Sequence, residues 1–248
     1  MPPATAKDVS AAGRALRRAI AEAIGTFFLV LIGPGAAMVD VYTGGGLGPT
    51  GIALAFAFVV LAMIVTLGHL SGAHINPAVT LAFWSVRRFP SREVVPYVVA
   101  QCLGAIAASA VLRLVLGPIG DLGATLPHVG TARAFLVEWV LSFGLMLVIT
   151  AVATDARVAD GFAAVAVGLT VGFCALLGPL TGSSMNPARS FGPAVVGGPW
   201  TGHWLYWVAP ITAMMTAARL YDFLRHTEAP RAEPGLILTG IQGDVDRP

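Results

Sequence analysis

A fourteen-residue segment occurs twice in this chain, and both copies centre on Asn-Pro-Ala. The first copy runs from Leu67 to Thr80 and reads LGHLSGAHINPAVT, and the second runs from Leu177 to Ser190 and reads LGPLTGSSMNPARS. The copies are identical at seven of the fourteen positions. An internal duplication constrains the fold, because the two halves of the chain must then form similar units.

The composition indicates a membrane protein. The chain is 56% hydrophobic and 11% charged, with a mean hydropathy of +0.78, whereas soluble proteins average about 25% charged residues. Apolar segments of about the length that a spanning helix needs occur six times. They are Leu16–Val39, Thr50–Leu70, Val94–Leu116, Thr131–Ala153, Gly161–Leu177 and Trp204–Phe223.

Three of these segments lie between the two copies of the repeat. Three crossings is an odd number, so the copies enter the bilayer from opposite faces. Duplicated irregular segments with inverted topology are typical of a transport site near the membrane midplane. The sequence therefore predicts one all-α membrane domain over residues 15–226. Its inverted halves, about 15–116 and 131–226, are joined by a linker rich in Gly and Pro around Gly117–Gly130.

Basic residues lie mostly on one side of this topology, where they precede the first span or follow the second, fourth and sixth. They are Lys7, Arg14, Arg17, Arg18, Arg87, Arg88, Arg92, Arg157, Arg219, Arg225, Arg231 and Arg247. Because basic loops stay on the cytoplasmic side, we expect both termini to be cytoplasmic in a multi-pass protein of the cell membrane. Residues 1–14 then form an N-terminal segment and residues 227–248 a flexible tail. The distribution of these basic residues orients the chain, and the net charge of only +2 does not indicate a nucleic-acid partner.

Each Asn-Pro-Ala motif precedes an apolar run that is too short to cross the bilayer, Val79–Val86 and Phe191–Val196. Asn is a preferred N-cap and Pro is favoured at the first helical position, so helices should begin at Asn76 and Asn186. Eleven residues from Asn76 would extend about 16 Å, near half of the hydrocarbon thickness. The sequence thus predicts two half-helices whose partly positive N-termini face each other and repel cations.

The two motifs, with their flanking sequences SGAHINPAVT and NPARSFGP and a glutamate in the first helix of each half, resemble the aquaporin (major intrinsic protein) family. The resemblance covers about Ile20 to Tyr221. It implies an aquaporin-like fold, with six transmembrane helices and two half-helices around a pore in each subunit of a homotetramer. It further implies a passive channel, not an enzyme, that conducts water and other small neutral solutes and excludes protons and ions. No cofactor or metal is expected, and the five histidines show no metal-ligand spacing.

The resemblance also assigns roles to individual residues. The pore motifs are Asn76, Pro77, Ala78, Asn186, Pro187 and Ala188, and the selectivity filter is Phe56, Cys174, Ser183 and Arg189. The backbone that lines the pore belongs to Gly72, Ala73, His74, Ile75, Gly182, Ser184 and Met185. Irregular backbone is tolerated at membrane depth only where it lines a cavity or is buried in protein. Glu22 and Glu138 are expected behind the pore, where they hold the two irregular loops; a proton relay is the alternative.

Cys174 is the filter position at which this chain departs from water-selective members of the family, which usually carry His there. Cys in place of the larger His predicts a wider selectivity filter that lets some glycerol or a similar solute pass. It also predicts that the Cys174 thiol is exposed to the pore. Phe56, Ser190, Ala194 and the pair Tyr206-Trp207 instead resemble the water-conducting branch.

Other functions stay open on the sequence alone. The channel could be a broader facilitator of glycerol, hydrogen peroxide, ammonia or a metalloid acid. A secondary transporter also has inverted repeats and broken helices. An intramembrane hydrolase needs a nucleophile beside a base, and Ser183 and Ser184 lie near no histidine in the sequence. A purely adhesive membrane protein is the last alternative.

Overall fold

The computed structural model describes residues 10–154 and 162–226, and within these ranges its regular elements are helical. The helices are α1 (Ala11–Tyr42), α2 (Gly48–Ser71), α3 (Pro77–Ser85), α4 (Ser91–Leu116), α5 (Thr131–Thr154), α6 (Phe162–Ala175), α7 (Gly178–Thr181), α8 (Pro187–Val196) and α9 (Leu205–His226), with a 3-10 turn at Gly120–Gly123 between α4 and α5. The all-α fold is therefore confirmed. Residues 1–9 of the predicted N-terminal segment, Arg157 and the predicted tail at 227–248 lie outside the described residues.

The six predicted spans coincide with α1, α2, α4, α5, α6 and α9. Four of them, α1, α2, α4 and α5, are long and apolar enough to cross a membrane by length and composition. Helix α6 is a shorter apolar helix that begins where the described residues resume. Helix α9 has 22 residues and extends about 33 Å, although Arg219, Asp222 and Arg225 make its final turns polar.

Both half-helices begin where the sequence predicts; α8 ends at Val196 as predicted, and α3 ends at Ser85, one residue before the predicted Val86. Asn76 and Asn186 are the N-caps of α3 and α8, and each is followed by Pro at the first helical position. Helix α3 has 9 residues and α8 has 10, so each is about 14–15 Å long. The eleven-residue prediction for the first half-helix is too long, because Val86 already leaves helical geometry as the C-cap of α3.

The packing repeats between the halves. Helix α1 packs on α4 as α5 packs on α9, while α2 and α6 pack on each other across the two halves. Each half-helix packs on a long helix of the opposite half, α3 on α9 and α8 on α4. The α2–α6 contact is close because Gly168 and Gly172 face Ala57; a Cβ at Gly168 would lie 2.9 Å from Ala57 O. Small residues permit such a close approach of helices in membranes. The approach brings together the two pore loops, which are the irregular segments that precede Asn76 and Asn186.

Candidate functional site

The two Asn side chains join the N-termini of the half-helices. Asn76 Oδ1 accepts from the backbone N–H two residues later at 2.9 Å, and Asn186 Oδ1 does the same at 3.0 Å. Asn76 Nδ2 donates across to Met185 O at 2.8 Å, and Asn186 Nδ2 donates to Ile75 O at 2.8 Å. A primary amide has two N–H donors, so each Asn caps its own helix, holds the opposite loop and keeps one donor for a further partner.

The two loops before these Asn residues follow the same unusual backbone path. Gly72 and Gly182 have φ values of +87° and +86°. The next position has φ +44° at Ala73 and +40° at Ser183, and the position before Asn has +42° at Ile75 and +51° at Met185. Residues with a Cβ are strained in this region and need support from their surroundings.

Glu22 of α1 supports the first loop. Its Oε1 accepts from Ser71 Oγ at 2.7 Å and from His74 N at 2.9 Å. Its Oε2 accepts from Ile75 N at 2.6 Å and from Gln101 Nε2 at 2.8 Å. Glu22 is fully buried, and these four donors provide the hydrogen bonds that a buried carboxylate requires.

Glu138 of α5 supports the second loop in the same way. Its Oε1 accepts from Thr181 Oγ1 at 2.7 Å and from Ser184 N at 2.8 Å, and its Oε2 accepts from Met185 N at 2.9 Å. Neither glutamate lines the two main cavities of the described residues. The geometry therefore favours an anchoring role for both carboxylates over a relay along the pore.

Two cavities meet at one constriction. An inner cavity of about 120 Å³ reaches from the region of Ile64 and Val152 to the two Asn residues, and an outer cavity of about 400 Å³ opens beyond them. The residues that line both cavities are Phe56, Ala175 and Arg189. This ring is thus the narrow region that connects the two spaces.

Arg189 is held at this constriction although it is only 4% exposed. Its Nη1 donates to Gly123 O at 2.7 Å, and its Cζ lies 5.2 Å from the centre of the Phe56 ring. Its Nε has no hydrogen-bond partner among the described residues. Arg189 lies in the first turn of α8, where the helix dipole disfavours a cation, so the site adds a positive charge to an end that is already positive.

The residues that line the two cavities do not include Cys174. Helix α6 lines the cavities through Ala163, Val167, Val171 and Ala175, which recur at the four-residue spacing of one helical face. Cys174 lies about 100° around the helix from Ala175 and packs against the hydrophobic core. Ala175 is therefore the residue of this face that lines both cavities, and Cys174 is not among the residues that line either cavity.

Cys174 is twelve residues before Asn186 and Ala175 is eleven, so the two residues lie on different faces of α6. The signal that identifies Ala175 is the apolar series at every fourth position of α6.

The cavity linings include most of the other predicted pore residues. Gly72, Ala73, His74, Ile75, Asn76, Ser183, Ser184, Met185 and Asn186 line the inner cavity, and Gly182 lines the outer one. Pro77, Ala78, Pro187 and Ala188 are buried in the first turns of α3 and α8, behind the cavity wall. Sequence reasoning missed the Gly123 carbonyl and Gln101. Of these two groups, only Gln101 could have been recognised in the sequence, because it is a polar amide within an otherwise apolar span.

The inner cavity has one polar wall and one apolar wall. The loops and the two Asn residues form the polar wall, and it faces an apolar wall of Leu29, Val60, Ile64, Val79, Phe83, Leu145, Ile149, Val152, Val167 and Val171.

No group of three or more His, Cys, Asp or Glu side chains that could hold a metal occurs within residues 10–154 and 162–226. Ser184 Oγ donates to Asn186 O at 2.9 Å and lies 2.5 Å from Ser190 Oγ, which is a structural arrangement and not a nucleophile–base pair.

Comparisons with known proteins agree with this architecture. A family model described as "Major intrinsic protein" matches residues 9–221. Nodulin-26 of Glycine max is 43% identical over 220 residues, which cover 88% of this chain and 81% of the relative. A probable aquaporin, AqpM of Archaeoglobus fulgidus, is 44% identical and covers 84% of this chain and 96% of the relative. The X-ray structure of the aquaglyceroporin from Plasmodium falciparum superimposes with a TM-score of 0.76 at 27% identity, covering 84% of this chain and 96% of that structure.

Proposed function

This chain belongs to the major intrinsic protein family, and from that premise we propose that it is a passive channel for water and small neutral solutes that excludes protons and ions. The observation that carries the proposal is the ring of Phe56, Ala175 and Arg189, which joins an inner and an outer cavity. The chemistry of this path is hydrogen bonding without covalent steps, so the proposal treats the protein as a channel and not as an enzyme.

Water conduction follows from the donors and acceptors along the path. Backbone groups of the two loops replace hydrogen bonds that a water molecule gives up when it enters a narrow apolar pore. The free N–H groups of Asn76 and Asn186 can donate to the oxygen of one water, so that its own hydrogens point away along the pore. Two positive helix ends and Arg189 then raise the energy of hydronium and other cations at the middle of the path.

The solute range is set by the constriction in this proposal. Ala175 contributes a single methyl group where a bulkier side chain would close the ring. Arg189 and Ser183 offer polar groups, and Phe56 and Ala175 offer apolar groups, so the constriction suits a small solute with hydroxyl groups on an apolar backbone. Glycerol beside water is therefore the second candidate substrate, and the structural likeness to an aquaglyceroporin supports it. Hydrogen peroxide, ammonia and metalloid acids are further candidates of similar size.

The proposal places the protein in the cell membrane as a homotetramer with cytoplasmic termini. The support for this orientation is the excess of basic residues at one end of the helices, which include Arg18 and Arg88. The opposite end carries Arg113 on α4 and Arg133 on α5. Cross-linking in native membranes tests the tetramer, and accessibility of terminal tags in sealed vesicles tests the orientation.

Stopped-flow light scattering of proteoliposomes tests the channel. Under an impermeant osmotic gradient the vesicles should shrink faster than protein-free vesicles, with a low activation energy, while an imposed pH gradient persists. A glycerol gradient measures the second substrate in the same preparation. Saturable flux that depends on an ion gradient would instead identify a secondary transporter, and rapid collapse of the pH gradient would refute proton exclusion.

A further inference from the structure

One face of α1 borders the path between the two cavities, and at the level of the constriction this face has no side chain. Leu29 lines the inner cavity and Ala37 lines the outer cavity. Gly33 lies midway between them, at the four-residue spacing of one helical face, and it lines neither cavity. The wall at this level is formed instead by Phe56 of α2, which lines both.

Phe56 lies with one face of its ring against Gly33. A Cβ added at Gly33 would be nearest to Phe56 Cε1, and Cζ and Cδ1 would be only a few tenths of an ångström farther away, at 2.5 Å and 2.6 Å. A point beyond the edge of a ring is much nearer to one carbon than to its two neighbours, so the Cβ position lies over the ring face. Ordinary contacts between carbon atoms are about 3.5–4.0 Å, so the ring occupies the space that a side chain at position 33 would need.

The side of the Phe56 ring that faces away from Gly33 borders the path. Arg189 Cζ lies 5.2 Å from the centre of the ring, and Arg189 lines the same two cavities as Phe56. Phe56 is only 6% exposed, so protein atoms enclose the rest of the ring. A group that pushes the ring away from α1 therefore moves it along the normal of its face, into the opening of the constriction.

The second half has a different arrangement at the equivalent position. Gly33 follows Glu22 by eleven residues, and Ile149 follows Glu138 by eleven. Ile149 of α5 itself lines the inner cavity, whereas α1 has a glycine and the aromatic ring of α2 supplies the wall. This contact is thus a departure from the two-fold repeat, and it occurs at the constriction.

We propose that Gly33 is a positioning residue that determines the width of the constriction, because it sets how far the Phe56 ring extends into the opening. The proposal rests on the proposed function, in which Phe56, Ala175 and Arg189 select the solutes. A methyl group at position 33 displaces the ring by more than about 1 Å, since the carbon atoms must separate to an ordinary contact distance. The narrower opening then hinders water, and it hinders the larger glycerol molecule more.

The test compares Gly33→Ala with Gly35→Ala in proteoliposomes by stopped-flow light scattering. Gly35 lies on the same helix, and a Cβ there would meet only the flexible end of Leu112, 3.0 Å from its Cδ2; Leu112 lines neither cavity. Gly33→Ala should lower water permeability roughly tenfold, the factor that one overpacked contact of ordinary size produces. It should also raise the activation energy of water flux and lower glycerol permeability further. Gly35→Ala should match the wild type, and equal water permeability of the two variants would overturn the proposal.

Phe56→Ala separates this proposal from the proposed function. By itself it should raise the ratio of glycerol to water permeability, because it opens the constriction. A wild-type ratio in folded Phe56→Ala would refute the selecting role of the constriction, whatever the result for Gly33→Ala. In the Phe56→Ala background, Gly33→Ala should change neither permeability, because the ring that it displaces is gone. A further tenfold loss of water flux there would indicate a general distortion of α1 and would overturn the positioning role.

The double variant keeps the test decisive if Gly33→Ala alone does not fold. The failure would then come from overpacking against the ring, so removal of the ring in Gly33→Ala/Phe56→Ala should restore folded protein. Monodisperse elution in detergent and the thermal unfolding midpoint measure this rescue, with Phe56→Ala as the reference. A double variant that remains unfolded while Phe56→Ala folds would show that Gly33 does not serve to accommodate Phe56, and it would overturn the proposal.

Discussion

Replacing Glu138 by Gln tests whether the buried carboxylate anchors the second pore loop. The carboxylate accepts three hydrogen bonds, two of them from the backbone N–H groups of Ser184 and Met185 through different oxygens. An amide offers one oxygen. With its NH₂ group in either orientation, one of the two backbone donors loses its acceptor; the third donor, Thr181 Oγ1, can rotate and accept instead.

The expected cost follows from this count. An unsatisfied buried donor costs about 1–3 kcal/mol, and the carboxylate also loses the extra strength of charge-assisted hydrogen bonds. For a domain of this size, about 2 kcal/mol corresponds to roughly 4–8 °C in the unfolding midpoint. Glu138→Gln should therefore unfold about 4–8 °C lower than the wild type. Its water flux should also fall, because the strained backbone around Ser183 and Met185 loses one of the hydrogen bonds that hold it in place.

The assay is thermal unfolding in one detergent, followed by tryptophan fluorescence, together with stopped-flow water permeability. Glu93→Gln is the matched control, because the Glu93 side chain is also largely buried, at 8% exposed, but it pairs with Arg18, whose side chain is 44% exposed, and it holds no pore loop. If Glu138→Gln unfolds at the temperature of Glu93→Gln and conducts water normally, the anchoring role is refuted. If it instead folds normally and abolishes a proton leak of the wild type, the relay alternative replaces it.

The remaining predictions concern the constriction and its outer rim. Small neutral mercurials should leave wild-type water flux unchanged, because Cys174 is partly buried against the core and is not among the residues that line the cavities. The same mercurials should block Ala175→Cys. Blockage of the wild type that disappears in Cys174→Ser would place the thiol in the pore wall. Ala175→His should suppress glycerol flux more than water flux, since it adds bulk and a hydrogen-bond partner to the ring, and an unchanged ratio of the two permeabilities would contradict this placement. Burial lowers the pKa of His203 from its ordinary value of 6.5, and its Nε2 accepts from Trp207 Nε1 at 3.2 Å, so the neutral form is the one that the fold stabilises. This stability is complete above the ordinary pKa and is lost as the pH falls through the lowered pKa. The unfolding midpoint should consequently drop more between pH 7 and pH 5 in the wild type than in His203→Gln, and parallel pH profiles would exclude His203.

Local features of the structure follow from the sequence by itself. The caps at Asn76 and Asn186 depend on Asn followed by Pro, and the spans depend on runs of apolar residues, so each can be recognised within a few to about twenty residues. The duplicated Asn-Pro-Ala segment, with three spans between its two copies, further predicted that the two halves have opposite orientations in the membrane. These signals determined the helices, the half-helices and the membrane class without knowledge of any long-range contact.

Only the tertiary structure decided which side chains meet at the constriction. Cys174 and Ala175 are neighbours in the sequence, but only Ala175 is among the residues that line the cavities. The contact between Arg189 and Gly123 joins residues 66 positions apart and depends on how the linker packs against α1. Because side-chain direction on a helix changes by about 100° per residue, and because a backbone carbonyl has no sequence signature, such contacts are settled by the packing of the whole domain and not by a local pattern.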